Sequence, residues 1–358
     1  RVNHDKCINC GRCIDVCPII NKVQVKNNPE AYACINKNEY IRLGSSSGGM
    51  FTLIAEKIID DGGIVFGATF NDKYEVEHIH IETKETLSKL RGSKYVQSKM
   101  GKTYKDAKEF LESGRQVLFS GTSCQIAGLK SFLQKDYENL FCIDIICHGV
   151  PSPKVWKKYI LYRQNIAKSN TKRISFRQKN EGWKKYSVSF QFQNGTEYCK
   201  TLDKDLYMRA FLKNICLKPS CYDCQFKGNH RISDITLGDF WGIRNILPEM
   251  DDDKGTSLIF LNSKAGKDIF EKIKNKIIFK EVDINEAVKY NTSAIKSVEA
   301  NPRREAFFKE LDMFPFDQLV NRYCMDSVLM IMKRLSKSLA YKVLKKIGLL
   351  NICKQLLR

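Results

Sequence analysis

Residues 116–149 read QVLFSGTSCQIAGLKSFLQKDYENLFCIDIICHG, and the reading of this stretch decides the fold class. Gln116 to Phe119 has the pattern of a short buried strand. It turns through Ser120-Gly121-Thr122-Ser123-Cys124 into an apolar-periodic helix over Gln125 to Leu133. Leu140 to Ile146 is the next strand, and it ends at Cys147-His148-Gly149. Strands that alternate with helices predict an α/β unit with a largely parallel sheet.

The alternation extends upstream. Ser45-Ser46-Ser47-Gly48-Gly49 leads into Met50, Phe51, Ile54, Ala55, Ile58 and Ile59, which form a helical stripe. Asp61-Gly62-Gly63 ends that helix. Strands are predicted at Ile64 to Ala68 and Val76 to Ile81, and a helix at Thr103 to Leu111. Residues 21–44 read as a connector with weak structure. From about residue 170 the texture becomes α+β. Strands are predicted at 174–178, 186–192 and 197–202 with an Asn194-Gly195 hairpin turn, then a helix over 205–214. Further strands are predicted at 234–238 and 257–261, and a helix at 264–274. The expected fold class is thus α/β plus α+β. The expected units are a partial 4Fe–4S module over 1–34, an α/β domain over 35–165, an α+β domain over 166–322, and a basic amphipathic tail over 323–358.

Fourteen cysteines carry the chemistry. Cys7, Cys10, Cys13 and Cys17-Pro18 form C-x2-C-x2-C-x3-C-P, the bacterial ferredoxin spacing for a 4Fe–4S cluster, in which the fourth Cys serves the other cluster of a pair. Zinc prefers a closed tetrahedron built from separated pairs, which this compact run does not offer. Only one such motif is present. The expectation is a partial module in which Cys17 serves a cluster whose other ligands lie outside this sequence, with Cys34 as a local alternative.

A second set comes from the strand ends. Cys124 and Cys147 each follow a buried strand, and ligands in open α/β sheets sit at strand C-termini. Cys221-x2-Cys224 adds a chelating pair. Cys124, Cys147, Cys221 and Cys224 are the expected ligands of an internal 4Fe–4S cluster, with Cys216 competing with Cys124. The alternative is zinc on Cys216, Cys221, Cys224 and His230. Cys142, Cys199, Cys324 and Cys353 read as packing. Ser47-Gly48-Gly49 enters a helix, where free N–H groups suit a phosphate, and Gly121-Thr122 repeats that design. His148 is a candidate proton relay, with a structural histidine as the alternative.

Composition bounds the class. Lys+Arg 60 against Asp+Glu 40 leaves a formal +20. The lysines are dispersed and no nucleic-acid motif accompanies them, so nucleic acid is not the expected partner. A basic surface for anionic redox partners, nucleotides or lipid headgroups is the simpler account. No apolar run approaches 18 residues. Cysteines at metal spacing read as a reduced cytoplasmic location rather than a disulfide framework. Met325 to Arg358 carries six Lys and two Arg against one Asp, either as a helix packed on its own domain or as one lying peripherally on an anionic membrane.

Taken together, these motifs make the chain resemble the beta subunits of coenzyme F420-reducing hydrogenases and dehydrogenases, and their relatives in bacterial polysaccharide gene clusters. The resemblance runs from Cys7 to about Pro315. It rests on the ferredoxin run, SSSGGMF from Ser45, RGSKYVQS from Arg91, GTSCQIAGL from Gly121, DIICHGVPSP from Asp144, CYDCQF from Cys221 and SDITLGDFWG from Ser233. Ser123 stands where the family usually has Pro. The resemblance implies FAD beside an iron–sulfur cluster and a two-electron acceptor, either coenzyme F420-like or a polysaccharide-pathway substrate. It implies a flavin-side loop at Ser47, Gly48 and Gly49. Lys94, Tyr95 and Gln97 would line the isoalloxazine, and Asp239 and Trp241 would support the cluster. A ferredoxin-like or hydrogenase-type redox partner is implied as well. The competing expectations are an electron-transfer subunit without its own substrate site, and a zinc-stabilised module for an anionic glycan.

Overall fold

The computed structural model describes residues 4–325. The basic tail expected beyond Met325 lies outside the described residues, as does Cys353. Eleven strands are described: β1 (Glu30–Asn36), β2 (Ile64–Phe70), β3 (Val76–Ile81), β4 (Val117–Thr122), β5 (Leu140–Ile145), β6 (Thr171–Gln178), β7 (Ser187–Phe192), β8 (Glu197–Thr201), β9 (Ile235–Asp239), β10 (Ser257–Leu261) and β11 (Ile277–Val282).

Eight of them form one mixed sheet in the order β11-β1-β10-β9-β5-β4-β2-β3. The centre is parallel: β2 with β4, β4 with β5, and β5 with β9. The flanks, β3 on one side and β10, β1 and β11 on the other, pair antiparallel. The parallel strands are covered on both faces. In β4, Leu118 faces the helices Met50–Asp60 and Lys264–Ile273, while Val117 and Phe119 face the helices Thr103–Glu112 and Ser123–Leu133. Alternate residues of a strand point to opposite faces. Burying each such side chain contributes about 1.5–3 kcal/mol.

The second sheet, β6-β7-β8, is antiparallel. Gly195 at φ 83° completes its hairpin turn. An aromatic core of Trp156, Tyr159, Phe176, Phe190, Tyr207 and Phe316 packs it against the helices Pro153–Ala167, Leu206–Leu212 and Phe316–Cys324.

Two expectations change here. Residues 21–44 are not a weak connector throughout, because Glu30–Asn36 is β1, an interior strand between β10 and β11. And the boundary at 165/166 runs through the large sheet: after β5 the chain builds the small sheet and returns as β9 beside β5.

Candidate functional site

Because β2, β4, β5 and β9 are parallel, their C-terminal ends share one edge of the sheet. A cleft of about 480 Å³ opens there. Its walls take Ser120, Gly121 and Thr122 from β4, Ile145 from the end of β5 and Ile146 just beyond it, and Leu237, Gly238 and Asp239 from β9. Ser47 and Gly49 come from the loop that enters the helix Met50–Asp60, and Lys94, Tyr95 and Gln97 from the 91–98 loop. The cleft thus gathers seven of the eight residues expected at the cofactor.

Gly48 is the eighth, and it does not line the cleft. A Cβ there would stand 2.4 Å from the Cys34 carbonyl oxygen and 2.8 Å from the Ser257 nitrogen. Its glycine permits close backbone packing against β1 and β10. Gly49, at φ 86°, caps the helix in the left-handed region that favours glycine.

The two loops are laced together. Ser93 donates to Ser46 Oγ from both its backbone nitrogen (2.7 Å) and its hydroxyl (2.9 Å). Arg91 Nε donates to Thr52 Oγ1 at 3.1 Å. His78, also in the wall, accepts from Ser98 Oγ at Nδ1 and donates from Nε2 to the Ser120 carbonyl oxygen, which sets one neutral tautomer. Burial pushes its pKa down to about 4, so it carries no charge near neutrality.

The charges in the wall are mostly positive: Arg91, Lys94 and Lys218 against Asp239. Lys94 Nζ donates to the carbonyls of Lys89 and Arg91 and has no carboxylate partner among the described residues. Burial brings its pKa down to about 7. A half-buried lysine without a carboxylate partner fits an anionic ligand such as a dinucleotide diphosphate, whose charge would hold it protonated. Asp239 is already taken. Arg177 holds it through two nitrogens at 2.9 and 3.1 Å, and Trp183 Nε1 donates to it at 3.0 Å. Trp241 stacks on Trp183. Asp239 thus stands in the cleft wall, and Trp241 is tied to it through Trp183. Sequence reasoning missed Arg177, which also donates to the Ser46 carbonyl and the Tyr95 hydroxyl.

Lys94 and Lys179 supply a pH dependence. Lys179 Nζ bonds the carbonyls of Arg42, Ser47 and Lys254, and burial, reinforced by Arg177 and Arg42, brings it down to about 7 as well. Both lysines have native pKa values below the ordinary 10.5. Between those values the unfolded chain binds more protons, so stability rises with pH across that window. The cofactor-free protein is expected to gain urea resistance from about pH 7 to about pH 9, and Lys94→Met to lose part of that gain. Equal midpoints for wild type at each pH would refute the assignment.

Four thiols converge beside the cleft. Cys147 lies within electrostatic reach of Cys124, Cys221 and Cys224. Cys124 and Cys221 also form part of the cleft wall. Cys124 sits in the first turn of the helix after β4, Cys147 follows β5, and these strands are neighbours. The chain approaches closely at Gly149, where a Cβ would stand 2.7 Å from Leu217 Cδ1 and 3.5 Å from Cys221 Cβ. Val150 N–H donates to Cys221 Sγ at 3.3 Å, the kind of bond that tunes a cluster's potential. Lys227 donates to the Cys147 carbonyl and faces Cys147, Cys224 and Cys221 electrostatically. Burial pushes the free Cys147 thiol up to about 12. Coordination deprotonates a thiol outright, and the nearby lysine favours the anionic product.

Among the described residues, no three His, Cys, Asp or Glu groups gather closely enough for a single metal ion. Ligands of a 4Fe–4S cube attach to separate irons and stand further apart. The expected zinc alternative is not assembled. Cys216 is fully buried in the aromatic core, and His230 Nδ1 bonds the Asn27 carbonyl. Cys34 and Cys142 are likewise buried, whereas Cys199 is exposed and does not pack. His148 is bonded through Nε2 to Asn214 and packed edge-on to Phe211 outside the cleft wall, which is the structural alternative.

The first cysteine run stands apart. Asn9 and Gly11, at φ 53° and 71°, bend the chain, a short helix Arg12–Asp15 follows, and Cys7, Cys10 and Cys13 are exposed. Pro18 and Asn21 line a second cavity of about 700 Å³, and Lys227 lies in that cavity's wall as well. Lys227 therefore stands between the ferredoxin-type segment and Cys147.

The fold is a mixed α/β sheet with cysteines and a cationic cleft at one edge. Comparison with family models makes this specific. Residues 31–105 match the N-terminal model, and residues 114–287 the C-terminal model, of the coenzyme F420 hydrogenase/dehydrogenase beta subunit; residues 1–19 match a 4Fe–4S binding domain. The chain belongs to the coenzyme F420 hydrogenase/dehydrogenase beta-subunit family. This is a family of oxidoreductase subunits, and its 4Fe–4S segment supplies electron transfer. A solved structure titled for the F420-reducing [NiFe] hydrogenase complex from Methanosarcina barkeri is similar at TM-score 0.52 and 16% identity, over 81% of this chain and 94% of that one. At that identity the likeness is one of fold. Comparison with curated proteins found no match. No helix among the described residues is long and apolar enough to cross a membrane.

Proposed function

We propose that this chain is an iron–sulfur flavoprotein that passes electrons between a ferredoxin-type cluster, an internal 4Fe–4S cluster and FAD, and so to a two-electron acceptor. One observation carries the reading: Cys124 and Cys221 belong both to the four-thiol group and to the wall of the cationic cleft. A cluster on those thiols would adjoin whatever the cleft binds. Cys7, Cys10 and Cys13 would hold the outer cluster, with Cys17 serving a neighbouring one. Ser47, Gly49, Gly121 and Thr122 would present backbone and hydroxyl groups to the dinucleotide, and Lys94, Tyr95 and Gln97 would flank the ring.

When bound, a flavin supplies the conversion between single-electron and two-electron steps. The chain's own part is positional. The 45–49 and 91–98 loops hold the ligand, the apolar residues Ile143, Ile145 and Leu237 exclude water, and Lys94 offsets negative charge. The acceptor in this reading is coenzyme F420-like or a polysaccharide-pathway substrate. The partners are a redox protein and that small molecule, in a reducing cytoplasm.

A narrower reading is an electron-transfer subunit of a larger complex. Ile8, Ile14, Ile19, Ile20 and Val23 are all more than half exposed along the ferredoxin-type segment, an apolar surface suited to a stable partner. Turnover of an acceptor by the isolated protein would separate the two.

The anaerobic absorbance spectrum tests the proposal. Flavin bands and a broad shoulder that bleaches with dithionite are expected, and heat release should yield the dinucleotide. Iron and sulfide without flavin would leave only the electron-transfer reading.

A further inference from the structure

Three separate segments deliver the four thiols of the proposed internal cluster: the turn after β4, the turn after β5, and the 221–228 loop. A cube fixes the spacing of its thiolates only once it is bound, so before assembly that spacing must be set by the protein. One buried guanidinium touches the first and third of these segments and, on the β5 side, the strand itself just before its turn.

Arg231 is 3% exposed. Its Nη1 donates to Ser123 Oγ at 2.7 Å and lies 3.2 Å from Asp144 Oδ2. Its Nε donates to the Gly228 carbonyl at 2.7 Å, and Nη1 also reaches the Phe226 carbonyl at 3.4 Å. Its Nη2 donates to the Ala294 carbonyl at 2.7 Å. Ser123 immediately precedes Cys124. Asp144 lies three residues before Cys147, and Phe226 two after Cys224. The 293–297 segment reached through Ala294 accepts Lys227 at the Ser293 carbonyl and the Cys224 N–H at Ser297 Oγ. Asp144 is fully buried, and its other oxygen accepts from Ser233 Oγ at 2.8 Å. The Ser123 hydroxyl uses both its capacities, donating to Asp144 and accepting from Arg231.

We infer that Ser123, Asp144 and Arg231 form a buried brace that sets the spacing of Cys124, Cys147 and Cys224 for the cluster; this rests on the internal-cluster reading above. Stability alone is a poor reason for the arrangement. A buried ion pair roughly breaks even against apolar residues of similar volume. What an apolar set lacks is direction: the planar fork of Arg binds defined oxygens at defined angles. Ser123 is part of the device. Its hydroxyl ties the turn before Cys124 to both other members. The three are positioning residues, acting through the cysteines.

The test uses the full chain purified anaerobically, with iron release to an added chelator followed over time. Ser123→Ala removes one oxygen, and alanine suits the first turn of a helix. Outer contacts of this kind change metal affinity about 10–100-fold. Ser123→Ala and Arg231→Lys are expected to speed release of the internal-cluster iron by about tenfold or more and to shift its reduced-state EPR signal. The ferredoxin-type iron should leave at the wild-type rate. Ser123→Thr, which keeps the hydroxyl, should behave as wild type. Wild-type release and EPR in both Ser123→Ala and Arg231→Lys, even with a lowered melting temperature, would overturn the brace and leave an ordinary core network. Failure of the underlying reading is distinct: a Cys221→Ser, Cys224→Ser protein would then keep all its iron.

Discussion

Replacing Cys221 and Cys224 together with serine is expected to remove about half of the iron and sulfide of a two-cluster protein while leaving the fold and the flavin in place. Both thiols reach the shared site, and Cys221 lies in the cleft wall. Serine preserves size, but its neutral hydroxyl is a hard oxygen ligand that iron–sulfur clusters bind poorly compared with thiolate. Cys124 and Cys147 alone then leave two corners of the cube unheld. The outer run is independent of this change, because Cys7, Cys10 and Cys13 lie on their own bent segment. The reduced protein should keep the ferredoxin-type EPR signal and lose the other. Cys221 and Cys224 are each partly accessible, so their replacement leaves no large void. Unchanged iron would exclude the pair as ligands and remove the link between cluster and cleft.

The sites that sequence made legible are those whose signal is local. Metal spacing, as at Cys7 to Cys17 and Cys221 to Cys224, is written within a few residues. The run from Ile64 to Ile145 is a strand pair followed by alternating helix and strand, with each strand beside a near neighbour in the chain, so it reads directly. That β4 and β5 pair in parallel is what brings Cys124 and Cys147 to one edge. The missed features depend on distant partners. β1 reads EAYACIN, with two alanines and an asparagine in place of a β-branched run. It becomes a strand because Ala33 pairs with Leu258 on one side and with Lys280 on the other. Tertiary pairing overrides weak propensity there. The insertion of β6 to β8 between β5 and β9 is similarly invisible. The change of texture near residue 170 is real, but nothing local says that the chain returns to the first sheet. Gly48 shows the opposite hazard. A glycine before a helix suggests a ligand, yet its space is taken by the Cys34 and Ser257 backbone. The brace at Arg231 and the hub at Arg177 escaped because a single arginine in a strand or loop pattern carries no mark of its buried partners.

Arg177→Met is expected to be the most damaging single change outside the cysteines, lowering both stability and flavin content. The guanidinium is 3% exposed and pairs in two-pronged fashion with Asp239, itself 17% exposed. Burial by itself would lower the arginine's pKa. Asp239 reverses that and holds it above the ordinary value, so the guanidinium is charged at every accessible pH. The guanidinium also lies 3.9 Å from the Tyr186 ring centre. Methionine fills much of the same space but strands the Asp239 carboxylate with Trp183 Nε1 as a remaining donor. Removing one partner of a buried pair costs about 3–5 kcal/mol, enough to lower the melting temperature by roughly 10 °C in a chain of this class. The cleft suffers separately. Arg177 bonds the Ser46 carbonyl and the Tyr95 hydroxyl, so the two loops keep their direct Ser93–Ser46 bonds but lose their common anchor. A double change, Arg177→Met with Asp239→Leu, divides these effects: removing both charges should restore most of the melting temperature, yet flavin content should stay low because neither loop regains its tie. Full flavin occupancy in the double variant would mean that Arg177 holds the fold together without shaping the cleft, and a wild-type melting temperature together with full flavin occupancy in Arg177→Met would mean that it does neither.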